Sequence, residues 1–133
     1  MIVLVDTSVW IDFFCGSEVS HVAMLERLLT DSEDVCIAGV ILTEILQGIR
    51  RDRDYKKTKS YMERLLYLQS AKGTFIRAAE LYRALRRKGL TIRKPIDCMI
   101  ASLALENDVA LLHNDRDFDP MEKHCGLEVL KSD

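Results

Sequence analysis

The sequence lacks long hydrophobic runs. Of its 133 residues 48% are apolar, yet no apolar run approaches the roughly 20 residues that a helix needs to cross a bilayer. The apolar start ends at Asp6 after five residues and has no basic residues before it, so we expect no secretory signal peptide. These absences predict a protein that lies in the cytoplasm and does not span a membrane.

Cysteine and histidine are few and are not spaced for zinc. The four cysteines, Cys15, Cys36, Cys98 and Cys125, include no C-x-x-C pair, and the three histidines add no zinc-ligand spacing. We therefore expect reduced thiols, three of which fill small apolar gaps. The alternative, His124 and Cys125 as half of a zinc site, is less favoured than a plain loop.

Several common catalytic and calcium-binding motifs are also absent. The six glycines form no phosphate-binding loop, and there is no G-x-S-x-G elbow around a nucleophilic serine. Asp115, Asp117 and Asp119 alternate as at the start of an EF-hand. That loop would need glycine at position 120 and glutamate at 126, where the sequence has Pro120 and Gly126. The sequence therefore excludes an EF-hand.

What the chain does have is a strong segregation of charge. The formal net charge is only -2. Residues 1–49 contain one basic and eight acidic residues, residues 50–94 contain 15 basic and four acidic residues, and residues 95–133 contain three basic and nine acidic residues. The three segments thus carry -7, +11 and -6. A basic middle of this size predicts contact with a polyanion, which the net charge conceals.

Hydrophobic patterning predicts alternating strands and helices. Buried strands are expected at residues 2–5, 35–38 and 109–112, with a last edge strand at 127–130. Helices are expected to begin after Thr7 and Ser8, which can cap the first, and to cover residues 18–31, 39–48, 54–66, 75–88 and 95–106. The helix over 54–66 would turn Leu65 and Leu66 inward. This order predicts one α/β domain over residues 1–133 with a parallel sheet.

Four acids are expected near the carboxyl end of this sheet, where ligands bind in open parallel sheets. Asp6 and Asp115 follow strands, Glu44 lies about one turn into the third helix, and Asp97 is the third residue of the helix that starts at Pro95. Asp6 has an ordinary alternative role as a helix cap, and Asp97 as a first-turn acid that the helix dipole keeps ionised. Glu44 and Asp97 lie in apolar stretches, however, where a solvated charge is out of place. Together the four acids favour a shared site.

Such a carboxylate cluster needs compensating charge. Two like charges 4 Å apart repel by about 4 kcal/mol at an effective dielectric of about 20, so either some acids stay protonated or a cation lies among them. With Asp117 as a further oxygen donor and no histidine or cysteine donor nearby, the cluster suits Mg²⁺ or Mn²⁺. These ions activate water for phosphodiester hydrolysis. Relief of the repulsion predicts that Asp6→Asn raises the melting temperature of the metal-free protein.

Four segments in order along the chain resemble the PIN-domain ribonucleases. They are residues 5–11 (Val-Asp-Thr-Ser-Val-Trp-Ile), 42–48 around Glu44, 93–101 around Asp97, and 113–118 (His-Asn-Asp-Arg-Asp-Phe). The length and residues 82–89 look most like the VapC-type toxins of toxin–antitoxin pairs. The resemblance covers essentially the whole chain. It implies a three-layer α/β/α fold with a central, mostly parallel sheet of four to five strands.

The resemblance also implies a Mg²⁺- or Mn²⁺-dependent endoribonuclease. Its catalytic acids would be Asp6, Glu44, Asp97 and Asp115, with all but Glu44 holding the metal and with Ser8 and Asp117 as auxiliary residues. Glu44 would orient or deprotonate the attacking water. The implied partners are a structured RNA such as transfer RNA, a cognate antitoxin that reaches into the active site, and a second copy of the chain in a homodimer.

The basic segment offers the candidates for phosphate contacts. These are Arg86, Arg87, Arg93 and Lys94, of which the last two are favoured because they are so near Asp97. The alternative for all of them is a solvated helix face, which is the preferred interpretation for most of residues 50–59.

Other functions stay open at this point. The chain would fit a PIN nuclease in RNA processing outside toxin–antitoxin pairs, or a module whose acidic pocket binds a partner's arginine or lysine without turnover. A phosphatase with Asp6 as its nucleophile is a distant alternative, because Ser8 stands where that motif carries a second aspartate.

Overall fold

Four parallel strands form the central sheet of the computed structural model, which describes residues 1–31 and 34–131. The strands are β1 (Ile2–Val5), β2 (Asp34–Ala38), β3 (Leu66–Leu68) and β4 (Ala110–Leu112), in the order β3-β2-β1-β4. Val3 of β1 lies opposite Val35 on one side and Ala110 on the other. Because β1 is central, its last three residues are fully buried, which explains the unbroken apolar run.

Seven α-helices of the described residues flank this sheet. They are α1 (Thr7–Phe14), α2 (Ser20–Thr30), α3 (Gly39–Gln47), α4 (Asp52–Met62), α5 (Lys72–Arg87), α6 (Pro95–Glu106) and α7 (Asp119–Cys125), with a 3₁₀ turn at Arg116–Phe118 before α7. The predicted α/β/α fold with a parallel sheet is confirmed. Within the described ranges, no helix is long and apolar enough to cross a bilayer.

Local signals in the sequence set several helix boundaries. Asp6, not Thr7 or Ser8, is the N-cap of α1: its carboxylate accepts a hydrogen bond from the backbone amide of Ser8 at 3.1 Å. Pro95 is the first residue of α6, where its missing N–H costs nothing. Gly126 ends α7 with φ of 78°, a left-handed conformation that favours glycine.

The largest departure from the predicted elements lies between α4 and α5. The helix predicted to reach residue 66 ends at Met62, and the next residues turn into edge strand β3. Leu66 is 48% exposed, so its predicted inward orientation is wrong. The strand forms because Leu66 pairs with Cys36 on β2, a partner that local patterning does not reveal. Helix α5 then begins at Lys72 rather than residue 75.

The predicted last strand at 127–130 is also reduced. It forms a single parallel bridge, between Leu111 and Val129. Hydrogen bonds of 2.9 Å from the Leu111 amide to Glu128 and from the Leu130 amide to Leu111 flank that bridge. β4 has only three residues, so residues 127–130 can pair with it over only a short length.

An aromatic cluster (Trp10, Phe13, Phe14 and Tyr61) joins α1 to α4. The indole N–H of Trp10 donates to the carbonyl of Val5 at 3.1 Å, which fixes the ring beneath the end of β1. Phe14 stacks on this indole with ring centroids 5.8 Å apart. The cluster therefore holds the Phe14 ring firmly, although Phe14 is 39% exposed.

The cysteines are free thiols. Cys36 and Cys98 are buried and Cys125 is half-buried, in keeping with thiols that fill apolar gaps, while Cys15 is exposed. Burial raises the pKa of Cys36 and of Cys98 to about 11. Both core thiols are therefore neutral at pH 7.

Candidate functional site

Three of the four acids that the sequence predicts to share a site, Asp6, Asp97 and Asp115, lie together where β1 and β4 end. The backbone amide of Asp6 donates to the carbonyl of Leu112 at 2.9 Å, so the segments that follow the two strands start side by side. The first turn of α6 brings Asp97 to the same place. Asp6 and Asp97 are only 5% and 4% exposed, whereas Asp115 is half-buried.

Asp97, Asp115 and Asp117 form a candidate metal site. One carboxylate oxygen from each lies within 4.8 Å of the other two. Oδ2 of Asp97 is buried and, within the described part of the chain, has no hydrogen-bond partner. An unpartnered buried oxygen beside two further carboxylates fits a hard cation such as Mg²⁺ or Mn²⁺, which prefers oxygen ligands. Histidine and cysteine take no part in this group.

Burial raises the pKa of Asp97 to about 7. The ammonium of Lys94 opposes this rise, whereas the nearby carboxylates of Asp6, Asp115 and Asp117 add to it. The helix dipole alone would keep Asp97 ionised at neutral pH, but desolvation outweighs the dipole, so in the metal-free protein Asp97 is only partly ionised near pH 7. Below that pH the carboxyl holds a proton, which also reduces the repulsion from the neighbouring carboxylates.

Two cations pair with the acids that follow β4. The ammonium of Lys94 lies 3.1 Å from Oδ2 of Asp115, and the guanidinium of Arg93 donates to both carboxylate oxygens of Asp117 at 3.2 and 3.3 Å. Burial alone would raise the pKa of Asp115, but hydrogen bonds from the Asp117 amide and from Lys94 lower it overall. Both cations stay largely exposed, with side-chain exposures of 76% for Arg93 and 56% for Lys94. They can therefore reach a ligand.

Ser8 connects the two segments that carry the acids. Its hydroxyl donates to Oδ2 of Asp6 at 2.6 Å and accepts a hydrogen bond from the backbone amide of Asn114 at 3.0 Å. The residue after β1 and the residues after β4 are thereby fixed relative to each other. The carboxylate that caps α1 also lies beside the candidate site, so the two roles predicted for Asp6 are compatible.

Glu44 is positioned by a residue that the sequence did not single out for the site. The hydroxyl of Thr7 donates to Oε1 of Glu44 at 2.8 Å, and Thr7 is buried. Because Thr7 directly follows Asp6, this bond joins α3 to the end of β1. The available signal is a hydroxyl residue next to the first acid, for which the sequence predicts only a helix-capping role.

Comparison with known proteins decides the family. The model of the PIN domain matches residues 3–123. The chain belongs to the PIN-domain family. Ribonuclease VapC11 of Mycobacterium tuberculosis is similar to it, with 31% identity over 129 residues that cover 96% of each chain. Curated relatives thus agree with the resemblance noted from the four sequence segments.

Solved structures share the fold of this PIN domain. VapBC2 from Rickettsia felis, bound to a DNA fragment from its promoter, gives a TM-score of 0.79 with 22% identity and covers 100% of both chains. VapBC-5 from Mycobacterium tuberculosis, a member of the VapBC family of toxin–antitoxin systems, gives a TM-score of 0.69 with 20% identity over 98% of both chains. At these identities the likeness concerns the fold.

His113 is a second residue of this PIN domain that sequence reasoning missed. Its Nδ1 accepts the backbone amide of Asp115 at 3.1 Å, which requires Nδ1 without a proton. Burial lowers the pKa of His113, and its ring packs against Phe118 with centroids 4.9 Å apart. A neutral His113 thus supports the turn on which Asp115 lies.

The predicted phosphate-binding residues divide into two groups in the PIN domain. Arg93 and Lys94 lie at the acids. Arg86 and Arg87 lie exposed in the last turn of α5, where the guanidinium of Arg86 is 5.7 Å from the ring centroid of Tyr82. No hydrogen bond or ion pair among the described residues connects either of them to the acids.

Proposed function

We propose that this PIN domain is a divalent-metal-dependent endoribonuclease and the toxin of a toxin–antitoxin pair. The observation that carries the proposal is the meeting of Asp97, Asp115 and Asp117 around a buried, unpartnered oxygen of Asp97. Similarity to a VapC ribonuclease over 96% of the chain supports the same activity. The membership of VapBC-5 in a toxin–antitoxin family supports the toxin role.

The acids would hold Mg²⁺ or Mn²⁺. Asp97 and Asp115 are the proposed direct ligands, and Asp6 and Asp117 contribute directly or through water. The bound ion supplies a Lewis acid that activates water and stabilises the oxyanions of phosphodiester hydrolysis. Asp97 must lose its proton to bind the ion, so metal affinity is expected to fall as the pH drops below about 7.

Three further side chains would act on the water and the phosphate. Thr7 engages Oε1 of Glu44, which leaves Oε2 free to orient the attacking water and to take its proton. Lys94 is expected to exchange its bond to Asp115 for a substrate phosphate oxygen when Asp115 binds the ion, and Arg93 holds the same phosphate. In-line attack of this water at phosphorus would break the bond to the 3′-oxygen, which takes up a proton from solvent, so the products are a 5′-phosphate and a 3′-hydroxyl.

We propose a structured RNA, with transfer RNA as the first candidate, as the substrate. A cognate antitoxin would inhibit the enzyme by placing a basic side chain among the carboxylates, and the chain would form a homodimer. The negative charge of the clustered carboxylates supports the proposed contact with the antitoxin, because it attracts a basic side chain.

Cleavage of a small-RNA pool in Mg²⁺, Mn²⁺ or EDTA tests the activity. Asp97→Asn is compared with Asp108→Asn, a matched change at an exposed residue just before β4, at the other end of that strand from the acids. We expect metal-dependent cleavage by the wild type and by Asp108→Asn, with 5′-phosphate ends. Cleavage in EDTA, or by Asp97→Asn, would contradict the proposal.

The toxin role is tested in cells. Expression of the wild type is expected to stop growth, and co-expression of the protein encoded by a short adjacent reading frame is expected to restore it. Asp97→Asn should leave growth unaffected, and mapped RNA ends should differ between the two strains. A wild type that cleaves RNA in vitro without slowing growth would assign the nuclease to RNA processing instead.

A further inference from the structure

A groove of about 970 Å³ lies between the end of α1, the end of α3 and α4. Its floor is apolar and includes Ile11, Phe14 and Tyr61, of which the first two are 48% and 39% exposed. Glu44 lines the same groove. The groove is therefore continuous with the candidate catalytic site through a proposed catalytic residue.

The rim of the groove is basic. Four exposed cations line it, namely Arg50, Arg51, Lys57 and Arg64, against the acids Glu44 and Asp54. The cations of residues 50–59 are exposed to solvent, as expected for a solvated helix face. Three of them also lie along a concave surface that leads to Glu44. This excess of positive charge suits a polyanion.

Phe14 offers a fixed aromatic ring inside this basic groove. Its ring stacks on Trp10 at 5.8 Å with an interplanar angle of 22°, and it meets Tyr61 edge-on at 5.9 Å. Phe13 also meets it edge-on at 5.2 Å, so three rings hold Phe14 in place, and Phe14 is still 39% exposed. A held aromatic ring bordered by cations is the arrangement that binds unpaired nucleotides, by base stacking and phosphate contacts.

We propose that the groove binds an unpaired nucleotide of the RNA substrate beside the bond that is cut. Its base stacks on Phe14, and the neighbouring phosphates lie against Arg51 and Lys57. The inference rests on the proposed ribonuclease activity and adds a substrate feature to it: the scissile bond is flanked by single-stranded RNA. RNA is favoured over a protein helix because the rim carries four cations against two acids and ends at Glu44.

Binding of a short, unstructured oligoribonucleotide measures this site apart from catalysis. Fluorescence anisotropy in EDTA, where no metal-dependent cleavage occurs, is recorded for the wild type and for Phe14→Leu and Phe14→Tyr. Phe14→Leu keeps apolar volume but removes the ring, so we expect affinity to fall about tenfold. Phe14→Tyr keeps the ring and is expected to bind within about twofold of the wild type.

A pair of neighbouring lysines on α4 provides the matched charge test. Lys57 lines the groove and Lys56 does not, although both are exposed on the same helix. The plot of log affinity against log salt concentration has a negative slope. Lys57→Gln is expected to make that slope less steep by about 0.7, the value for one phosphate contact to a single strand. Lys56→Gln should leave the slope unchanged. Thermal melting of each variant checks that it is folded.

The outcomes separate the groove from the nuclease. If Phe14→Leu and Lys57→Gln bind the oligoribonucleotide like the wild type, the groove proposal is wrong, and metal-dependent cleavage by the same proteins would leave the proposed function intact. If they bind RNA normally but escape inhibition by the antitoxin, the groove docks a protein and the proposal is likewise overturned. If Phe14→Leu and Lys57→Gln weaken binding of the oligoribonucleotide but the wild type cleaves no RNA, the proposed nuclease function is wrong and the groove remains an RNA-binding site.

Discussion

Replacing Asp97 with asparagine should stabilise the metal-free protein, and the gain should grow with pH. Burial raises the pKa of this carboxyl from its ordinary value of 3.8 to about 7. Folding therefore favours the protonated acid, so the wild type loses stability as the pH rises through 3.8 and stops losing it above about 7. Asparagine has nearly the same shape and cannot ionise, so the variant does not have this loss.

The structure sets the size of the effect. A pKa difference of about 3 units corresponds to about 4 kcal/mol, at 1.36 kcal/mol per unit. The advantage of Asp97→Asn over the wild type should therefore be about 1 kcal/mol at pH 4.5 and about 4 kcal/mol at pH 7.5. For a domain of this size, that growth of about 3 kcal/mol corresponds to a difference in melting temperature of roughly 10 °C.

Urea denaturation in EDTA at pH 4.5, 6 and 7.5 measures the difference, with Asp108→Asn as the control for an exposed aspartate. A gap between Asp97→Asn and the wild type that stays constant with pH, or an Asp97→Asn variant that is less stable at pH 7.5, would refute the reasoning. Added Mg²⁺ should narrow the gap, because the wild type gains binding energy that the variant, without this ligand, does not.

Three further predictions concern single contacts. Thr7→Val removes the hydrogen bond to Glu44 but keeps the side-chain shape, so RNA cleavage should slow at least about tenfold while Thr7→Ser retains most activity; equal rates would remove Thr7 from any positioning role. Lys94→Gln should tighten Mg²⁺ binding a few-fold in calorimetry, since no ammonium then competes for Asp115, and weaker binding would contradict this. Gly126→Ala should cost about 1 kcal/mol in urea denaturation, because φ is 78° with no atom within 4 Å of the new methyl group; cleavage should be unaffected.

The structure indicates that Asp97, rather than Asp6, is the acid whose replacement by asparagine should stabilise the metal-free protein. The sequence predicts that Asp6→Asn relieves carboxylate repulsion and raises the melting temperature. Asp6, however, caps α1 and accepts two hydrogen bonds from Ser8, so its negative charge is already partly compensated. Asp97 has a buried oxygen with no partner among the described residues, which makes it the acid whose neutralisation should stabilise most.

The elements that the sequence predicts correctly are those whose own residues carry the signal for a strand or a helix. β1 is an apolar run that stops at Asp6, β2 contains the apolar run from Val35 to Ala38 that stops at Gly39, and α6 begins at Pro95. In each case the signal lies within the element or directly next to it. β3 is not predicted because its apolar run of three residues directly follows a helical pattern, and so short a run also fits the end of that helix. Its existence depends on pairing with β2, and such pairing appears only in three dimensions.

The candidate site likewise has features that the sequence predicts and features that it does not. Asp6 follows β1 and Asp115 follows β4, and these two parallel strands are neighbours, so the order of elements predicts that both acids lie at the same edge of the sheet. The raised pKa of Asp97 was not predictable, because it depends on how completely α6 is covered rather than on the helix position of the residue. The bonds of Lys94 to Asp115 and of Thr7 to Glu44 depend on side-chain directions, which the sequence does not contain.

The hydrogen bonds that join the end of β1 to the end of β4 also bear on when the protein becomes active during its synthesis. Asp6 and Ser8 are made first, but Asn114 and Leu112, which fix them, are made late. A growing chain that has not yet reached these residues lacks two of the three acids of the candidate metal site. For a proposed toxin that cuts RNA, this order delays activity until the ribosome has added the residues up to Asp117.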